Sequence, residues 1–123
     1  MLIGIPRESK TGETLVAATA KTVTQLMNLG YDVTVESGAG EAADQPDAGF
    51  VEAGAHIGST DEVWAADVVV KVNAPSPDEI SRLRQGATII SMLAPARSPE
   101  LVEQLQAQGV TALAMDAVPR ISR

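Results

Sequence analysis

Few residues in this 123-residue chain have types and spacing suited to chemistry. Residues 38–43 (GAGEAA) match the loose dinucleotide pattern G-x-G-x-x-A and follow a predicted strand. In a phosphate-binding loop such glycines let backbone N–H groups approach a pyrophosphate. Here Glu41 would place a carboxylate beside that anion, and residues 44–47 (DQPD) break a helix rather than build one. We therefore predict that this segment is a tight structural turn.

Charged residues follow three of the predicted strands. Lys71 interrupts an otherwise apolar strand near its carboxyl end, where open α/β sheets bind ligands. Its ammonium could meet a substrate carboxylate there or extend from the strand end into solvent, and the pattern leaves both interpretations open. Arg7 and Glu8 follow the first strand, and adjacent opposite charges on a loop predict a solvated pair. Asp116 follows the last strand, so Arg7, Lys71 and Asp116 could share one crevice.

The remaining candidates are a lone histidine and the basic end of the chain. His56 has no acid or nucleophile partner in the sequence pattern, which favours a structural or exposed role. Two guanidinium groups three positions apart beside a serine suit the phosphate or ribose oxygens of a nucleotide, whereas composition alone favours a ragged basic tail. These are the candidate cofactor-binding residues: Arg120, Ile121, Ser122 and Arg123. We assign no catalytic residue.

Composition excludes several classes of function. Apolar residues make up 45% of the chain and aromatic residues only 2%, so Val, Ile, Leu and Ala must build the core. The formal net charge of −7 argues against nucleic-acid binding, because neutralising phosphates needs clustered Lys and Arg. The chain has no cysteine and one histidine, which excludes disulfides, thiolate sites and any site with two imidazoles. We predict no metal site.

The start of the chain and its apolar runs indicate its location. Met1 leads directly into a strand-like run without a basic signal-peptide region. No apolar run reaches the roughly 18–20 residues that a membrane span needs. We therefore expect a cytoplasmic chain without a direct membrane span.

Short apolar runs alternate with segments of helical period, which predicts a single domain over residues 1–123. Strands are predicted at 2–5, 32–36, 68–72, 88–93 and 110–115, with a brief one at Ile57. Ser76, Pro77 and Glu79 have the spacing of a capping box, which begins a helix that Gly86 is predicted to end. Thr19 is the predicted N-cap of a helix that runs through Leu29. Further helices are predicted near 48–53, 60–66 and 98–109. Parallel strands joined by helices give a doubly wound, mostly parallel α/β layer.

Several of these strings resemble one known family, the alanine dehydrogenase and transhydrogenase α-subunit superfamily, over the whole chain. The general resemblance lies in residues 1–8 (MLIGIPRE), 35–40 (VESGAG), 53–55 (AGA) and 62–64 (EVW). Residues 70–75 (VKVNAP) and 114–123 (AMDAVPRISR) are similar to the proton-translocating NAD(P) transhydrogenase branch in particular.

The resemblance implies a function and a set of partners. Enzymes of that branch pass hydride between NAD(H) and NADP(H), coupled to proton movement. Their NAD(H)-binding component has two Rossmann-like halves and pairs as a homodimer. It is peripheral to the inner membrane, to which it is attached through the NADP(H)-binding and membrane domains. This chain would be the first half, with a Rossmann-like or flavodoxin-like layer. The glycine loop for the pyrophosphate would belong to the absent second half, and Arg120 would match the first arginine of the family's R-I-S-R motif.

Two departures from the family pattern separate the alternatives. Alanine dehydrogenases place an arginine at position 15 and a histidine at position 94 to complete a carboxylate pocket with a lysine at position 71. This chain has Leu15 and Ala94, which disfavours an NAD-dependent amino-acid dehydrogenase and favours a structural role for Lys71. A non-catalytic dimerisation module is the remaining alternative.

Overall fold

The computed structural model describes residues 1–8, 18–43, 45–91 and 99–114. Within them the strands are β1 (Leu2–Ile5), β2 (Asp32–Glu36), β3 (His56–Gly58), β4 (Val68–Val70), β5 (Thr88–Ser91) and β6 (Thr111–Ala114). The helices are α1 (Ala20–Asn28), α2 (Asp47–Glu52), α3 (Thr60–Trp64), α4 (Pro77–Arg82) and α5 (Pro99–Ala107), with a short 3₁₀ helix at Glu41–Ala43. No helix in these ranges is long and apolar enough to cross a membrane.

The strands form one sheet in the order β3-β2-β1-β4-β5-β6. Every strand pair in this sheet is parallel, with Gly4 opposite Thr34 on one side and Val69 on the other. The prediction of a doubly wound α/β layer is therefore confirmed. The chain builds outward from β1 in one direction and from β4 in the other, so the β1–β4 boundary is the topological switch point where such sheets bind ligands.

Two apolar clusters, one on each face, hold the helices to the sheet. Phe50 and Val23 belong to the cluster that packs α1 and α2 against β1, β2 and β3. Trp64, Ile80 and Leu105 belong to the cluster that packs α3, α4 and α5 on the other face. All five side chains are nearly or fully buried. Small and β-branched residues fill most of the remaining core, as the composition predicts.

Local chemistry fixes the helix starts as predicted. Thr19 caps α1 by accepting a hydrogen bond from the Thr22 N–H. Ser76 and Glu79 form a reciprocal capping box at α4, with Pro77 in the first turn. The end of α4 differs from the expectation that Gly86 terminates it. The helix stops at Arg82, because Leu83 adopts an extended conformation as its side chain enters the core.

The end of β4 also differs from its prediction. The apolar run suggested a strand through Val72, but β4 ends at Val70. Lys71 still donates its N–H to Ile90 O at 3.0 Å, which continues the ladder by one bond. The N–H of Val72 then turns away from the sheet to donate to the Glu8 carboxylate at 2.9 Å. β4 is shorter than predicted because the Glu8 side chain, rather than a neighbouring strand, accepts the N–H of Val72.

Gly4 allows α3 to lie directly against β1. A Cβ at this position would lie 2.2 Å from Val63 O and 3.0 Å from the Ala66 Cβ. Any side chain would therefore push the helix away from the sheet beside the buried Trp64. By contrast, a Cβ at Gly49 in α2 meets no heavy atom within 4 Å.

We expect Gly4→Ala to lower the free energy of unfolding by about 3 kcal/mol, because the new methyl group clashes with backbone. Gly49→Ala is the matched control and should be neutral or stabilising by up to about 1 kcal/mol, because alanine favours helix. Urea denaturation of the three proteins measures both changes. Equal stability of the two variants would contradict the close helix–sheet approach.

A stabilising set of polar contacts lies at the amino edge of the sheet, around Asp67. Its carboxylate accepts the Leu2 N–H at 2.8 Å, and Arg84 forms an ion pair with it. The bond from Leu2, assisted by the Arg84 guanidinium and opposed by partial desolvation, lowers the pKa of Asp67. A group whose pKa is lowered by folding stabilises the fold above its unfolded-state pKa. That contribution is lost as the pH falls through the folded-state pKa.

We expect Asp67→Asn to be less stable than the wild type at pH 7, with the difference shrinking as the pH falls below about 4, near the unfolded-state pKa of aspartate. Urea denaturation between pH 3 and pH 7 measures the difference. Asp32→Asn, at an exposed position, is the control and should change stability by less than about 0.5 kcal/mol. A difference that stays constant with pH would show that Asp67 acts through neutral contacts alone.

Candidate functional site at the carboxyl edge of the sheet

A buried ion pair occupies the topological switch point. Glu8 follows β1 and Lys71 follows β4, so the β1–β4 pairing brings their side chains together across 63 positions of sequence. The Lys71 Nζ donates to Glu8 Oε1 at 2.9 Å and to Asn73 O at 2.7 Å. The two side chains are only 1% and 2% exposed. This pair is the most deeply buried charge cluster among the described residues.

Backbone groups complete the coordination of the Glu8 carboxylate. Val72 N donates to Oε2 at 2.9 Å and Asn73 N donates to Oε1 at 3.0 Å. A buried charge is tolerated only when it is paired and hydrogen-bonded, and here each oxygen has at least one N–H partner. Glu8 thereby fixes the start of the β4–α4 connection.

These contacts correct one sequence expectation, for Arg7 and Glu8, and decide between two interpretations that the sequence left open for Lys71. Arg7 and Glu8 do not form a solvated local pair, because Glu8 turns inward to Lys71 while Arg7 is exposed. Lys71 does not extend to solvent either, since its ammonium is enclosed by Glu8 and Asn73. It meets a carboxylate, but one that the chain itself supplies. The signal that could have found the pair is the switch-point rule, which brings the ends of β1 and β4 together.

Glu36 at the end of β2 is a further site residue that sequence reasoning missed. In dinucleotide-binding folds an acid near this position receives the ribose hydroxyl. Here Glu36 Oε1 accepts the Arg7 N–H at 2.9 Å, and Oε2 accepts the Thr60 hydroxyl at 2.7 Å. Both oxygens are thus engaged in tying the turn after β1 to the start of α3.

A cleft of about 370 Å³ lies at this edge between the starts of α3 and α4. Its charged lining comprises four carboxylates and two guanidinium groups, so its excess charge is negative: Glu8, Glu36, Asp78, Glu79, Arg7 and Arg82. A pyrophosphate would meet repulsion here, and the turn after β1 carries Pro6, Arg7 and Glu8 in place of glycines. The described residues at the switch point therefore do not fit a dinucleotide.

The glycine segment 38–43 is a turn, as predicted. Gly38 has φ +79°, and its N–H donates to Asp47 Oδ1 at 3.0 Å. A Cβ at Gly40 would lie 2.3 Å from Gln45 O, so close backbone approach requires this glycine. The segment follows β2, whereas the phosphate loop of the same sheet order follows the first strand. The N–H of Gly38 is therefore bound by Asp47 of the chain itself.

The structure describes some of the remaining sequence candidates and leaves others undescribed. His56 is exposed as expected, with its Nε2 at 3.3 Å from Glu62 Oε2 at the surface. The candidate cofactor-binding residues Arg120, Ile121, Ser122 and Arg123 lie outside the described residues, and so do Asp116, Leu15 and Ala94. No group of three or more His, Cys, Asp or Glu side chains suited to a metal ion occurs in the described part of the chain.

Ser91 is an additional polar residue at this edge. It ends β5, and its hydroxyl is fully buried without a hydrogen-bond partner among the described residues. The register that pairs Val70 with Ile90 places Ser91 beside Lys71 on the neighbouring strand. No spacing in the sequence indicated this neighbour, because it depends on the pairing of β4 with β5.

Comparison with known proteins decides the family. Residues 4–123 match the family model described as the N-terminal domain of alanine dehydrogenase and PNT. The chain belongs to this family. The NAD(P) transhydrogenase subunit alpha of Haemophilus influenzae is 50% identical over 123 residues, which are all of this chain and 24% of that protein. The alanine dehydrogenase of Bacillus subtilis is 40% identical over 119 residues, or 96% of this chain and 32% of its own length.

Solved structures agree with this family assignment. The transhydrogenase from Sinorhizobium meliloti superposes with a TM-score of 0.96 at 38% identity, over 99% of this chain and 37% of that one. The chain thus spans about a quarter to a third of the length of the relatives that it matches. An L-alanine dehydrogenase structure also superposes, with a TM-score of 0.90 at 36% identity over 93% of this chain and 32% of that one, so both branches of the family share the fold. The identity to the Haemophilus transhydrogenase subunit, 50%, is higher than the 40% to the Bacillus alanine dehydrogenase.

We expect Glu8→Gln and Lys71→Met each to lower the free energy of unfolding by about 3–5 kcal/mol, because each leaves a buried group without its partner. The double variant should lose less than the sum of the two, with a coupling energy of about 2 kcal/mol. Urea denaturation of all four proteins measures the cycle.

The control for this cycle is Asp61→Asn, which breaks the exposed Arg82–Asp61 pair and should cost about 0.5 kcal/mol or less. Simple additivity of Glu8→Gln and Lys71→Met would contradict a direct interaction between them.

Proposed function

We propose that this chain is the first half of the NAD(H)-binding component of a proton-translocating NAD(P) transhydrogenase. The complete enzyme would transfer hydride between NAD(H) and NADP(H). The observation that carries the proposal is the 50% identity, over the whole chain, to a transhydrogenase α subunit. The Sinorhizobium transhydrogenase, with a TM-score of 0.96, supports the same branch.

In this proposal the chain supplies a scaffold and one edge of the nucleotide site. The switch point is filled by Glu8 and Lys71, and the adjoining cleft has excess negative charge. The dinucleotide would therefore be held mainly by a second Rossmann half. Arg120, Ile121, Ser122 and Arg123 would contact the NAD(H) from this side, through charge-assisted hydrogen bonds of the guanidinium groups.

The partners follow from the same proposal. NADP(H) would be bound by a separate domain, and a membrane domain would carry the protons. The chain would then lie on the cytoplasmic side, peripheral to the inner membrane through these partner subunits. A homodimer of the NAD(H)-binding component completes the proposed assembly.

An alanine-dehydrogenase-like enzyme is the second candidate. The 40% identity to the Bacillus subtilis alanine dehydrogenase favours it, as does Lys71, which the resemblance assigns to the carboxylate pocket. Leu15 and Ala94 oppose it, because they replace two of the three groups that the resemblance assigns to the carboxylate pocket. A non-catalytic dimerisation module would require neither set of residues.

We expect the 123-residue chain alone to bind NADH weakly or not at all, because it supplies only an edge of the site. A chimaera that joins it to the remainder of the Haemophilus influenzae subunit should bind NADH. Isothermal titration calorimetry of both proteins makes the comparison. A micromolar dissociation constant for the chain alone, about −8 kcal/mol, would place a complete site within these residues.

In the same chimaera, Arg120→Ala should weaken NADH binding about 10-fold or more, because it removes a charge-assisted hydrogen bond. Arg84→Ala is the control, since Arg84 pairs with Asp67 at the opposite edge of the sheet. Equal effects of the two changes would remove Arg120 from the site. Alanine-dependent reduction of NAD by the chimaera would favour the second candidate.

A further inference from the structure

An apolar cleft lies beside α1, on the face of the sheet against which α1 and α2 pack. Its volume is about 370 Å³, and its strand lining includes Val68, Val70 and Ile90. These three side chains are half-buried, whereas their neighbours Val69 and Ile89 are fully buried on the opposite face. The cleft therefore marks a part of the sheet at which apolar side chains are incompletely covered by the described residues.

The side chains on this part of the sheet are typical of a covered face. Parallel sheets carry apolar residues on both faces because helices pack on both, whereas a face that stays in water alternates with polar residues. On β4 both side chains of this face are valines. On β5 and β6 Ile90 and Leu113, which are paired in the register, follow Thr88 and Thr111 at the amino ends. Leu113 is 52% exposed, so the apolar surface continues beyond the cleft.

The number of helices on the two faces differs. Six strands spaced about 4.8 Å apart occupy about 29 Å, and a helix is about 10 Å across, so each face has room for about three helices. The opposite face carries α3, α4 and α5. This face carries α1, which packs against β2, and α2, which packs against β3. Among the described residues no third helix lies over β4 and β5 on this side.

We propose that the cleft is the docking site for one further helix, which comes from a longer polypeptide of which this chain is part. The inference rests on the proposed function for that continuation of the chain. The relatives have the necessary length, since this chain covers only 24% of the Haemophilus subunit and 37% of the Sinorhizobium transhydrogenase. The helix lies over β4 and β5 beside α1, and it places an apolar stripe of residues, spaced three and four apart, in the cleft.

The lining of the cleft favours an apolar helix over the other occupants. Its described lining residues include no charged side chain, although the net charge of the chain is −7. A charged peptide or ligand therefore finds no partner there. A second copy of the chain is also a poor match, because a stable dimer buries about 800 Å² on each partner. The strand side chains here are already half-buried beside α1 and present a narrow groove.

The test uses the absence of cysteine from the chain. Val68→Cys places a thiol in the cleft, and Val69→Cys places one on the opposite, fully buried face of the same strand. Val51→Cys places a third on the surface of α2, at a position that is 54% exposed. Alkylation by iodoacetamide is followed by mass spectrometry of each peptide. The rates are compared between the 123-residue chain and its chimaera with the remainder of the Haemophilus influenzae subunit.

We expect Val68→Cys to be alkylated at least about 10-fold more slowly in the chimaera than in the 123-residue chain, because a buried thiol is unreactive. Val51→Cys should react at the same rate in both proteins. Val69→Cys should react slowly in both, which shows that both are folded. Equal reactivity of Val68→Cys in the two folded proteins would overturn the proposal.

The other outcomes are equally decisive. If Val68→Cys reacts as slowly as Val69→Cys in the 123-residue chain at every protein concentration, the cleft is already covered and the proposal is wrong. A rate that falls only as the concentration of that chain rises would assign the face to a second copy and would contradict it too. Titration of the same chimaera with NADH separates this inference from the proposed function. Protection of Val68→Cys without NADH binding supports the docked helix alone, and NADH binding with a reactive Val68→Cys supports the function alone.

Discussion

The buried contact between Glu8 and Lys71 is the constraint on which the functional edge of this chain depends. It joins the ends of β1 and β4, the neighbouring strands from which the strand order runs in opposite directions. Its two side chains are almost completely excluded from solvent. Because an unpaired charge at this depth would be very costly, the end of β1 and the start of the β4–α4 connection must be placed together. The backbone N–H groups of Val72 and Asn73 meet the same requirement by donating to the Glu8 carboxylate.

The same interaction explains why the described residues at the switch point do not form a nucleotide-binding crevice, although the sheet order is that of a nucleotide-binding fold. In the usual arrangement glycines after the first strand admit a pyrophosphate to the switch point. In this chain the first strand leads to a carboxylate that accepts the available N–H groups, and Glu36 is likewise engaged by its neighbours. A scaffold of this kind can form one wall of a cofactor site while a second half holds the cofactor.

The parts of the fold that depend on local sequence could be predicted. The capping box of Ser76 and Glu79 needs only a three-residue spacing, and the Val68–Val70 run identifies a central strand from composition alone. Parallel topology follows because helices separate the strands. The prediction for the end of α4 was wrong, because the burial of Leu83, and not the position of the next glycine, decides where the helix stops.

The parts that depend on strand order could not be predicted in the same way. Glu8 stands next to Arg7 in sequence, which suggested a local pair, but its partner lies 63 positions away. Glu36 and Thr60 meet for the same reason, through the pairing of β2 with β3 and the start of α3. Such contacts become visible only when the order of the strands is known, and the family resemblance did not supply them residue by residue.

The most direct test of this account is amide hydrogen exchange of Val72 and Asn73, measured residue by residue by NMR spectroscopy. Both amides lie beyond the last residue of β4, where an ordinary connecting loop would exchange rapidly. If their N–H groups are held by a buried Glu8 carboxylate, they should exchange about as slowly as the Lys71 amide in the adjoining ladder. Rapid exchange at Val72 and Asn73, with Lys71 protected, would contradict the claim that Glu8 closes the switch point.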